Sequence, residues 1–382
     1  MTLQTFESGS AANGRLAKGC ELCAKGAKMV LFATGRCGAG CFYCPVSKER
    51  MNADAVYANE GRAYSDDDII LEAEAMDALG AGITGGDPSR DMDRTLHYVR
   101  LLREHFGRKF HIHMYTMAIS LENALALQEA GLNEIRYHPP ERVWTSMQDT
   151  ELSEVAGKVR MDVGIEVPAL PGSEEGLVAL AEYAFSAGAD FMNLNELEFS
   201  ESNWVMMKER GYEVKGGLSA AIGGSEETAL AVMRLLPDRR IHFCSSHFKD
   251  GVQLRNRLKR RAENTARPYD VVTDDGTFLR GIIYADDCGE AVRFMREEYD
   301  VPAKLISVDH DRDRVEIAPW ILEEVGPELP FKCYIVEEYP TRDRLEVERT
   351  PMNRMENGRR ASKGFDTPLN FGGQSTLRLC MS

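Results

Sequence analysis

The sequence predicts an α/β protein with a parallel sheet, followed by a smaller α+β module. Strand-like and helix-like segments alternate up to about residue 245, and the pattern becomes richer in strands after Arg267-Pro268. At 382 residues the chain is also long for one domain. Alternating strands and helices favour parallel pairing with right-handed crossovers. About six such units would make a partial (β/α)6 barrel, although periodicity alone leaves a doubly wound sheet open.

The predicted strands of the first part are short apolar or alternating runs. The first, 29–33, is continuously apolar, as expected of a buried strand. The next ends just before Thr84. The later strands are predicted at 109–116, 134–138, 161–167 and 190–194.

The predicted helices carry apolar residues at helical spacing. Segment 66–79 opens with acidic residues that suit a helix N-terminus, and it repeats Ile69, Ile70 and Ala73 on one face. The others are predicted at 92–106, 121–130, 150–157, 174–187 and 226–236.

The C-terminal part predicts a ferredoxin-like α+β domain. Its segments follow the order β-α-β-β-α-β, at 277–284, 289–298, 303–308, 314–317, 321–325 and 331–338, with 344–349 as a further strand. The predicted organisation is an N-terminal segment with a cysteine pair (1–27), a partial barrel (28–267), the α+β domain (268–350) and a polar tail (351–382). The tail has few apolar anchors, so we expect it to be mobile or to order against the barrel mouth.

Charge and hydropathy narrow the class of partner. The formal net charge is −15, from 61 acidic and 46 basic residues, which disfavours nucleic acid as a partner. The basic stretch 255–267 is best interpreted as a solvated helix face. The sequence has neither a stretch of about 20 apolar residues nor a signal peptide, so we expect a cytoplasmic protein with no membrane partner. Nine cysteines then indicate metal and redox chemistry in a reducing compartment.

Three cysteines, Cys37, Cys41 and Cys44, stand in the run C-G-A-G-C-F-Y-C. Iron-sulfur cubanes normally take four thiolates, so a compact trio predicts a [4Fe-4S] cluster with one iron open to a small molecule. Glycines at 35, 38 and 40 let the loop wrap tightly. A structural zinc site is the alternative, but zinc sites usually combine two close ligand pairs.

This loop resembles the signature of the radical S-adenosylmethionine (SAM) superfamily, in which an aromatic residue, here Tyr43, precedes the last cysteine. The resemblance is highly specific for the loop and extends more weakly to about residue 245. It implies an incomplete six-stranded barrel with SAM chelated at the open iron. It also implies a one-electron reductant that drives SAM cleavage to methionine and a 5'-deoxyadenosyl radical.

Further candidates lie at predicted strand ends, where parallel barrels collect functional residues. Gly85, Gly86 and Asp87 resemble the family's G-G-E motif for the SAM amine, with Asp in place of Glu; an ordinary glycine turn is the alternative. The remaining candidates alternate toward the lumen, where packing in the core is the alternative for each. They are Arg136, His138, Asn193 and Asn195 as cofactor contacts, Tyr115 and Glu166 as catalytic residues, and His111 and His113 with no assigned role.

A second cysteine set comprises Cys20, Cys23 and Cys244. Cys20 and Cys23 are separated by two residues, and Cys244 lies between His242 and His247. With one histidine these thiols would complete a zinc or mononuclear iron site, or hold an auxiliary cluster. Separate buried thiols are the alternative. Cys288, Cys333 and Cys380 have no partner at ligand spacing and are predicted to be structural.

The run 19–28, together with the cluster loop, resembles an archaeal radical SAM group related to pyruvate formate-lyase activating enzymes. A weaker resemblance is to methanogen enzymes that C-methylate a glutamine of methyl-coenzyme M reductase. It implies C-methylation of a protein or peptide, with cobalamin as methyl carrier, although the sequence has no D-x-H-x-x-G cobalamin loop. The alternatives are small-molecule or cofactor biosynthesis, a non-catalytic metal protein, and RNA modification, which the charge disfavours.

Overall fold

The computed structural model describes residues 3–216 and 219–353 and confirms a mixed α/β protein. The described chain forms two compact units. Of the described residues, the first unit contains those up to Glu74 and those between Ala78 and Leu254; the second contains Ala75–Asp77 and those from Arg255 to Asn353. None of the described helices has both the length and the apolar character needed to span a membrane. Most of the predicted polar tail, with Cys380, lies outside the described residues.

The first unit alternates strands with helices. Its strands are β1 (Leu3–Thr5), β2 (Ala11–Asn13), β3 (Lys28–Thr34), β4 (Val56–Ala58), β5 (Gly61–Ala63), β6 (Gly80–Gly85), β7 (His111–Thr116), β8 (Glu134–Tyr137), β9 (Asp162–Ala169), β10 (Phe191–Glu196) and β11 (Ile241–Cys244). Its helices are α1 (Lys18–Ala24), α2 (Asp66–Ala75), α3 (Met92–Phe106), α4 (Leu121–Ala130), α5 (Leu152–Lys158), α6 (Glu174–Ser186), α7 (Trp204–Glu209), α8 (Ser225–Leu235) and α9 (Ser246–Phe248).

Seven strands pair in parallel, in the order β3-β6-β7-β8-β9-β10-β11. The sequence predicts about six units and also a strand that ends at Cys244; that strand is the seventh, β11. Two short hairpins complete the sheet: β1-β2 pairs antiparallel to β11, and β4-β5 pairs antiparallel to β3. Both edges of the parallel run are therefore covered, as exposed strand edges would invite pairing with other chains.

Helix α1 closes the end of the parallel strands opposite their C-terminal ends. Its Gly19 amide donates to the Glu134 carboxylate at 3.1 Å. A Cβ at Gly19 would come within 2.6 Å of both Arg136 Nη2 and His113 Nδ1. Only glycine therefore lets the helix approach the buried polar side chains of β7 and β8 this closely.

The second unit is an antiparallel sheet with helices. Its elements are α10 (Arg255–Thr265), β12 (Val271–Val272), β13 (Phe278–Tyr284), α11 (Cys288–Glu298), β14 (Ile306–Asp309), β15 (Arg314–Ile317), α12 (Pro319–Val325), β16 (Lys332–Glu338) and β17 (Glu346–Pro351). The main strand order is β14-β15-β13-β16-β17. Cys288 and Cys333, predicted to be structural, are both buried in its apolar core.

The strands of this sheet separate apolar from charged residues. Val315 and Ile317 of β15 belong to the apolar core that α11 and α12 share. The alternate residues Arg314 and Glu316 are buried in an ion-pair network with Glu338 of β16. The period-two alternation of a strand places these two sets on opposite faces.

We expect the close approach of α1 to make Gly19→Ala destabilising, by about 2 kcal/mol in free energy of unfolding, because the added methyl overpacks a buried site. The matched control is Gly157→Ala in α5, where a Cβ would meet nothing within 4 Å. There alanine should be neutral or stabilise the helix by up to about 1 kcal/mol. Urea unfolding of both variants measures the difference, and equal effects would contradict the closure described for α1.

Candidate active site

The three cysteines of the predicted cluster loop line one cavity, of about 1090 Å³ including space open to solvent. The cavity lies at the C-terminal ends of the parallel strands. There Gly85 of β6, Tyr115 of β7 and Asn195 of β10 join its lining. This is the edge at which parallel α/β folds place their ligands.

The cysteine loop is a turn fastened to the rest of the unit. The Cys44 amide donates to the Cys41 carbonyl at 3.1 Å, and the Asn203 side chain donates to the Tyr43 carbonyl at 3.0 Å. Burial raises the pKa of the Cys37 thiol and that of the Cys44 thiol. Metal binding offsets this effect, because a coordinated thiol is deprotonated.

This donor set fits an iron-sulfur cluster. The three thiols are free, half-buried and close in the chain, and they face a common cavity. Among the described residues, no three His, Cys, Asp or Glu side chains are arranged to hold a single metal ion. A cubane has a different requirement, since each cysteine binds a different iron.

Tyr43 and His138 join the cysteine loop to β9. His138 Nδ1 lies 2.8 Å from the Glu166 carbonyl and therefore donates to it, which leaves Nε2 to accept from the Tyr43 hydroxyl at 3.1 Å. Burial lowers the pKa of His138 and raises that of Tyr43. Both side chains are consequently neutral, and this wall of the cavity carries no ionic charge.

The glycine pair of β6 also lines the cavity. Gly85 has a φ of 152°, and a Cβ there would clash with the Thr34 carbonyl. A Cβ at Gly86 would lie 2.5 Å from the Arg36 carbonyl. These glycines let the end of β6 pack against the backbone that leads into the cysteine loop.

Asp87 is occupied by protein contacts. Its Oδ1 accepts from the Ser89 amide at 3.0 Å and from the Thr116 hydroxyl at 2.8 Å, and its Oδ2 accepts from the Met117 amide at 3.2 Å. The carboxylate ties the end of β6 to the end of β7. It lines a neighbouring groove, whereas Gly85 and Gly86 line the cavity.

Glu166 has its side chain at the floor of the cavity. It accepts from Arg136 at 2.5 Å, from Asn193 at 2.9 Å and from Asn195 at 3.0 Å. Burial alone would raise the pKa of Glu166, but the Arg136 guanidinium and the two amides lower it. The carboxylate is therefore ionised.

Below Glu166, the Cys20 thiol accepts from Asn193 at 3.1 Å and from Arg136 at 3.4 Å. Burial would raise the pKa of Cys20, but Arg136 and then His242 lower it to about 7. Cys244 interacts electrostatically with Cys20 and Cys23, and burial raises its pKa. The three thiols are thus neighbours without forming a single-ion site, and the second metal stays a prediction.

The structure divides the residues predicted for the cluster, the cofactor and catalysis into three groups. Asp87 lines the groove. Arg136 and Asn193 lie beneath the cavity, bonded to Glu166. Those that line the cavity are Cys37, Cys41, Tyr43, Cys44, Gly85, Gly86, Tyr115, His138, Glu166 and Asn195.

Sequence reasoning missed the charged residues on another part of the lining. Lys249 forms an ion pair with Glu198, and its ammonium also donates to the Glu196 carbonyl at 3.3 Å. Burial would lower the pKa of Lys249, but Glu198 raises it. Lys249 begins a π-helical turn, Lys249–Leu254, which gives no periodic signal in the sequence. Its place five residues after the last parallel strand is the cue that could have found it.

His111 and His113 lie deeper, away from the cavity lining. His113 Nε2 is 3.0 Å from Lys28 Nζ, and His111 Nε2 is 3.6 Å from the Glu134 carboxylate. Burial lowers the pKa of His111 to about 4 and that of His113 well below its usual range. The sequence left both a functional position and a core position open for these two histidines, and the structure shows the core position.

A three-cysteine loop at the C-terminal edge of parallel strands is typical of enzymes that bind an iron-sulfur cluster. The chain is 40% identical over 357 residues to the "Putative glycyl-radical enzyme activating enzyme MJ0021" of Methanocaldococcus jannaschii, a match that covers 88% of this chain and 93% of that protein. The chain therefore belongs to the radical SAM family, together with this relative. Membership implies a [4Fe-4S] cluster and SAM as cofactors.

Other comparisons cover parts of the chain. Residues 276–352 match the family model "Domain of unknown function (DUF8061)". Two crystal structures of Streptococcus suis SuiB each cover 56% of this chain at a TM-score of 0.37. One, bound to precursor peptide SuiA, is 13% identical; the other, bound to S-adenosylmethionine, is 15% identical. This chain spans about half of the SuiB chain, with coverages of 47% and 49%.

The buried His111 predicts a loss of stability in acid. Its pKa of about 4 in the fold lies below the ordinary 6.5, so the unfolded chain takes up the proton first as the pH falls. Its contribution is complete above pH 6.5 and is lost between 6.5 and about 4, roughly 3 kcal/mol in all. Unfolding measured at intervals from pH 7 to 4 should show a smaller decline for His111→Gln. The control is the exposed His97→Gln; a decline in His111→Gln as steep as in the wild type would contradict the prediction.

Proposed function

We propose that this chain is a radical SAM enzyme that removes a hydrogen atom from a carbon of a protein or peptide substrate. One observation carries the proposal: Cys37, Cys41 and Cys44 share a cavity with the Gly85-Gly86 backbone at the C-terminal ends of the parallel strands. This arrangement places three iron ligands beside a surface that can take a small molecule.

The chain's own residues then have distinct roles. The three thiols would hold the [4Fe-4S] cluster, which with SAM and one electron supplies the 5'-deoxyadenosyl radical. Gly85 and Gly86, which line the cavity, would offer backbone carbonyls to the ammonium group of SAM. The ionised Glu166, held by Asn195, lines the same cavity and would accept a hydrogen bond from a hydroxyl group of a bound ligand. Tyr115 is a neutral phenol in the lining, because burial raises its pKa well above the usual range.

The finer features of the fold support the same assignment. The run from β3 to β11, with the cysteine loop after β3, suits an incomplete parallel barrel open at the cavity. In the second unit, β13 to β16 follow the order β-α-β-β-α-β with neighbouring strands antiparallel, which suits a ferredoxin-like domain. Such a domain commonly recognises a substrate.

The name of the Methanocaldococcus jannaschii relative, a glycyl-radical enzyme activating enzyme, favours a protein substrate. Activation of a glycyl-radical enzyme would remove a hydrogen from a backbone glycine of a partner protein and leave the radical there. C-methylation of a residue such as glutamine also begins with hydrogen removal from protein carbon, and adds a methyl carried by cobalamin. Cobalamin and the net reaction stay predictions, which corrinoid absorption of the purified protein and mass spectrometry of a partner protein would decide.

Substitution of the loop cysteines tests the proposal. Cys37→Ala, Cys41→Ala and Cys44→Ala should each lose the [4Fe-4S] absorption after anaerobic reconstitution, because two thiolates cannot retain the cluster. Formation of 5'-deoxyadenosine from SAM and dithionite should fall below about 1% of wild type, since the cluster carries that chemistry.

The control is Cys288→Ala, which changes a buried thiol of the second unit and should keep both signals. Wild-type protein that reconstitutes fully but releases no 5'-deoxyadenosine would refute the proposed function. Loop variants that still cleave SAM would refute the assignment of the cluster to these cysteines.

A further inference from the structure

A second groove lies against the cysteine loop. It encloses about 1420 Å³ open to solvent and shares Cys37 and Met117 with the cavity. The Cys37 and Met117 sulfur atoms are 4.0 Å apart. The loop therefore separates two spaces, and Cys37 belongs to the lining of both.

The groove is basic on a chain whose formal net charge is −15. Its charged lining consists of Arg36, Arg90, Arg142 and Asp87. The carboxylate of Asp87 is taken up by the three protein donors described above. Local positive charge thus exceeds local negative charge, opposite to the balance of the whole chain.

Two of the arginines are available to a partner. Arg36 is paired with Asp54 at 3.1 Å, whereas Arg90 and Arg142 are exposed and make no side-chain ion pair within the part of the chain that is described. Arg90 also lies against the cysteine loop: a Cβ at Gly38 would be 3.9 Å from its Nη2. A partner that binds Arg90 therefore sits directly over the loop.

We propose that this groove docks an acidic one-electron carrier protein, which delivers its electron to the cluster past Cys37. The inference rests on the proposed function and names its reductant partner. Under the proposed function SAM and substrate would fill the cavity, and the groove gives the cluster loop a second approach that leaves the cavity to them. An acidic carrier is repelled by the chain as a whole, and only a local basic surface would orient it here.

The expected complex is weak and sensitive to salt. Electron-transfer encounters bury little area, below roughly 1,200 Å² in total, and rely on charge complementarity for orientation. Arg90 and Arg142 line the groove and form no ion pair with another described residue, which suits such an encounter. Affinity should accordingly fall as ionic strength rises, because exposed charges are screened.

The test is calorimetric binding of a reduced, acidic [4Fe-4S] ferredoxin to the reconstituted protein at low salt. The variant Arg90→Glu/Arg142→Glu should bind about tenfold more weakly or worse, and Arg90→Gln/Arg142→Gln should be intermediate. The matched control, Arg100→Glu/Arg108→Glu, makes the same charge change at exposed arginines outside the groove lining. It should stay within about threefold of wild type, since long-range repulsion alone changes.

A parallel assay separates this proposal from the proposed function. With dithionite in place of the ferredoxin, all these variants should form 5'-deoxyadenosine at the wild-type rate. Equal ferredoxin binding by wild type and groove variants, or equal losses in groove and control variants, would overturn the docking proposal. The docking proposal would also be overturned if Arg90→Glu/Arg142→Glu left ferredoxin binding unchanged but weakened the binding of a polyglutamate peptide. That result would assign the groove to an acidic segment of the substrate. Failure of wild type with dithionite would count against the proposed function, while the binding data would still decide the docking.

Discussion

The buried guanidinium of Arg136 is the interaction on which the first unit depends. It lies 2.6 Å from Glu134 through Nε, 2.5 Å from Glu166 through Nη1, and 3.4 Å from the Cys20 thiol. Without it, two buried carboxylates would lose their shared cation, and removing one partner of a buried pair costs about 3–5 kcal/mol. The same group joins β8, β9 and α1, so the closure of the strands and the floor of the cavity share one charge.

Glu166 links that buried layer to the reactive end of the strands. Its side chain meets Arg136 below the cavity, while its backbone carbonyl accepts from His138, which in turn accepts from Tyr43 of the cysteine loop. These hydrogen bonds hold the cysteine loop in a fixed position relative to β9. The two ends of this connection differ in electrostatic character: hydrogen bonds between neutral groups hold the cysteine loop, whereas ion pairs hold the floor of the cavity. A radical enzyme needs such fixed geometry, since the cofactor supplies the chemistry and the protein supplies the positioning.

The cysteine loop and the strand–helix alternation were visible in the sequence because spacing and periodicity are local. The bounds of helix 121–130 agree with the prediction to the residue. In the structure Ser120 is its N-cap, and Gly131 ends it in a left-handed conformation. Helix α1 was missed because it has seven residues, and its place is set by Glu134 far along the chain. The three-residue hairpin strands were too short to show alternation. The partners of Asp87 and the position of Lys249 depend on packing between strands, so no local pattern could give them.

The first hairpin has a consequence for handling the protein. β2 is buried throughout, and Ala11 and Ala12 pair with β11 at the rim of the parallel strands. Asn13 also ties the hairpin to α8 and the turn after it, donating to the Met233 and Leu236 carbonyls. A shortened version that began at α1 would leave the backbone groups on this edge of β11 without strand partners, and such an edge is a template for pairing with a second molecule. Removing this stretch to improve crystals would therefore expose a strand edge that favours aggregation.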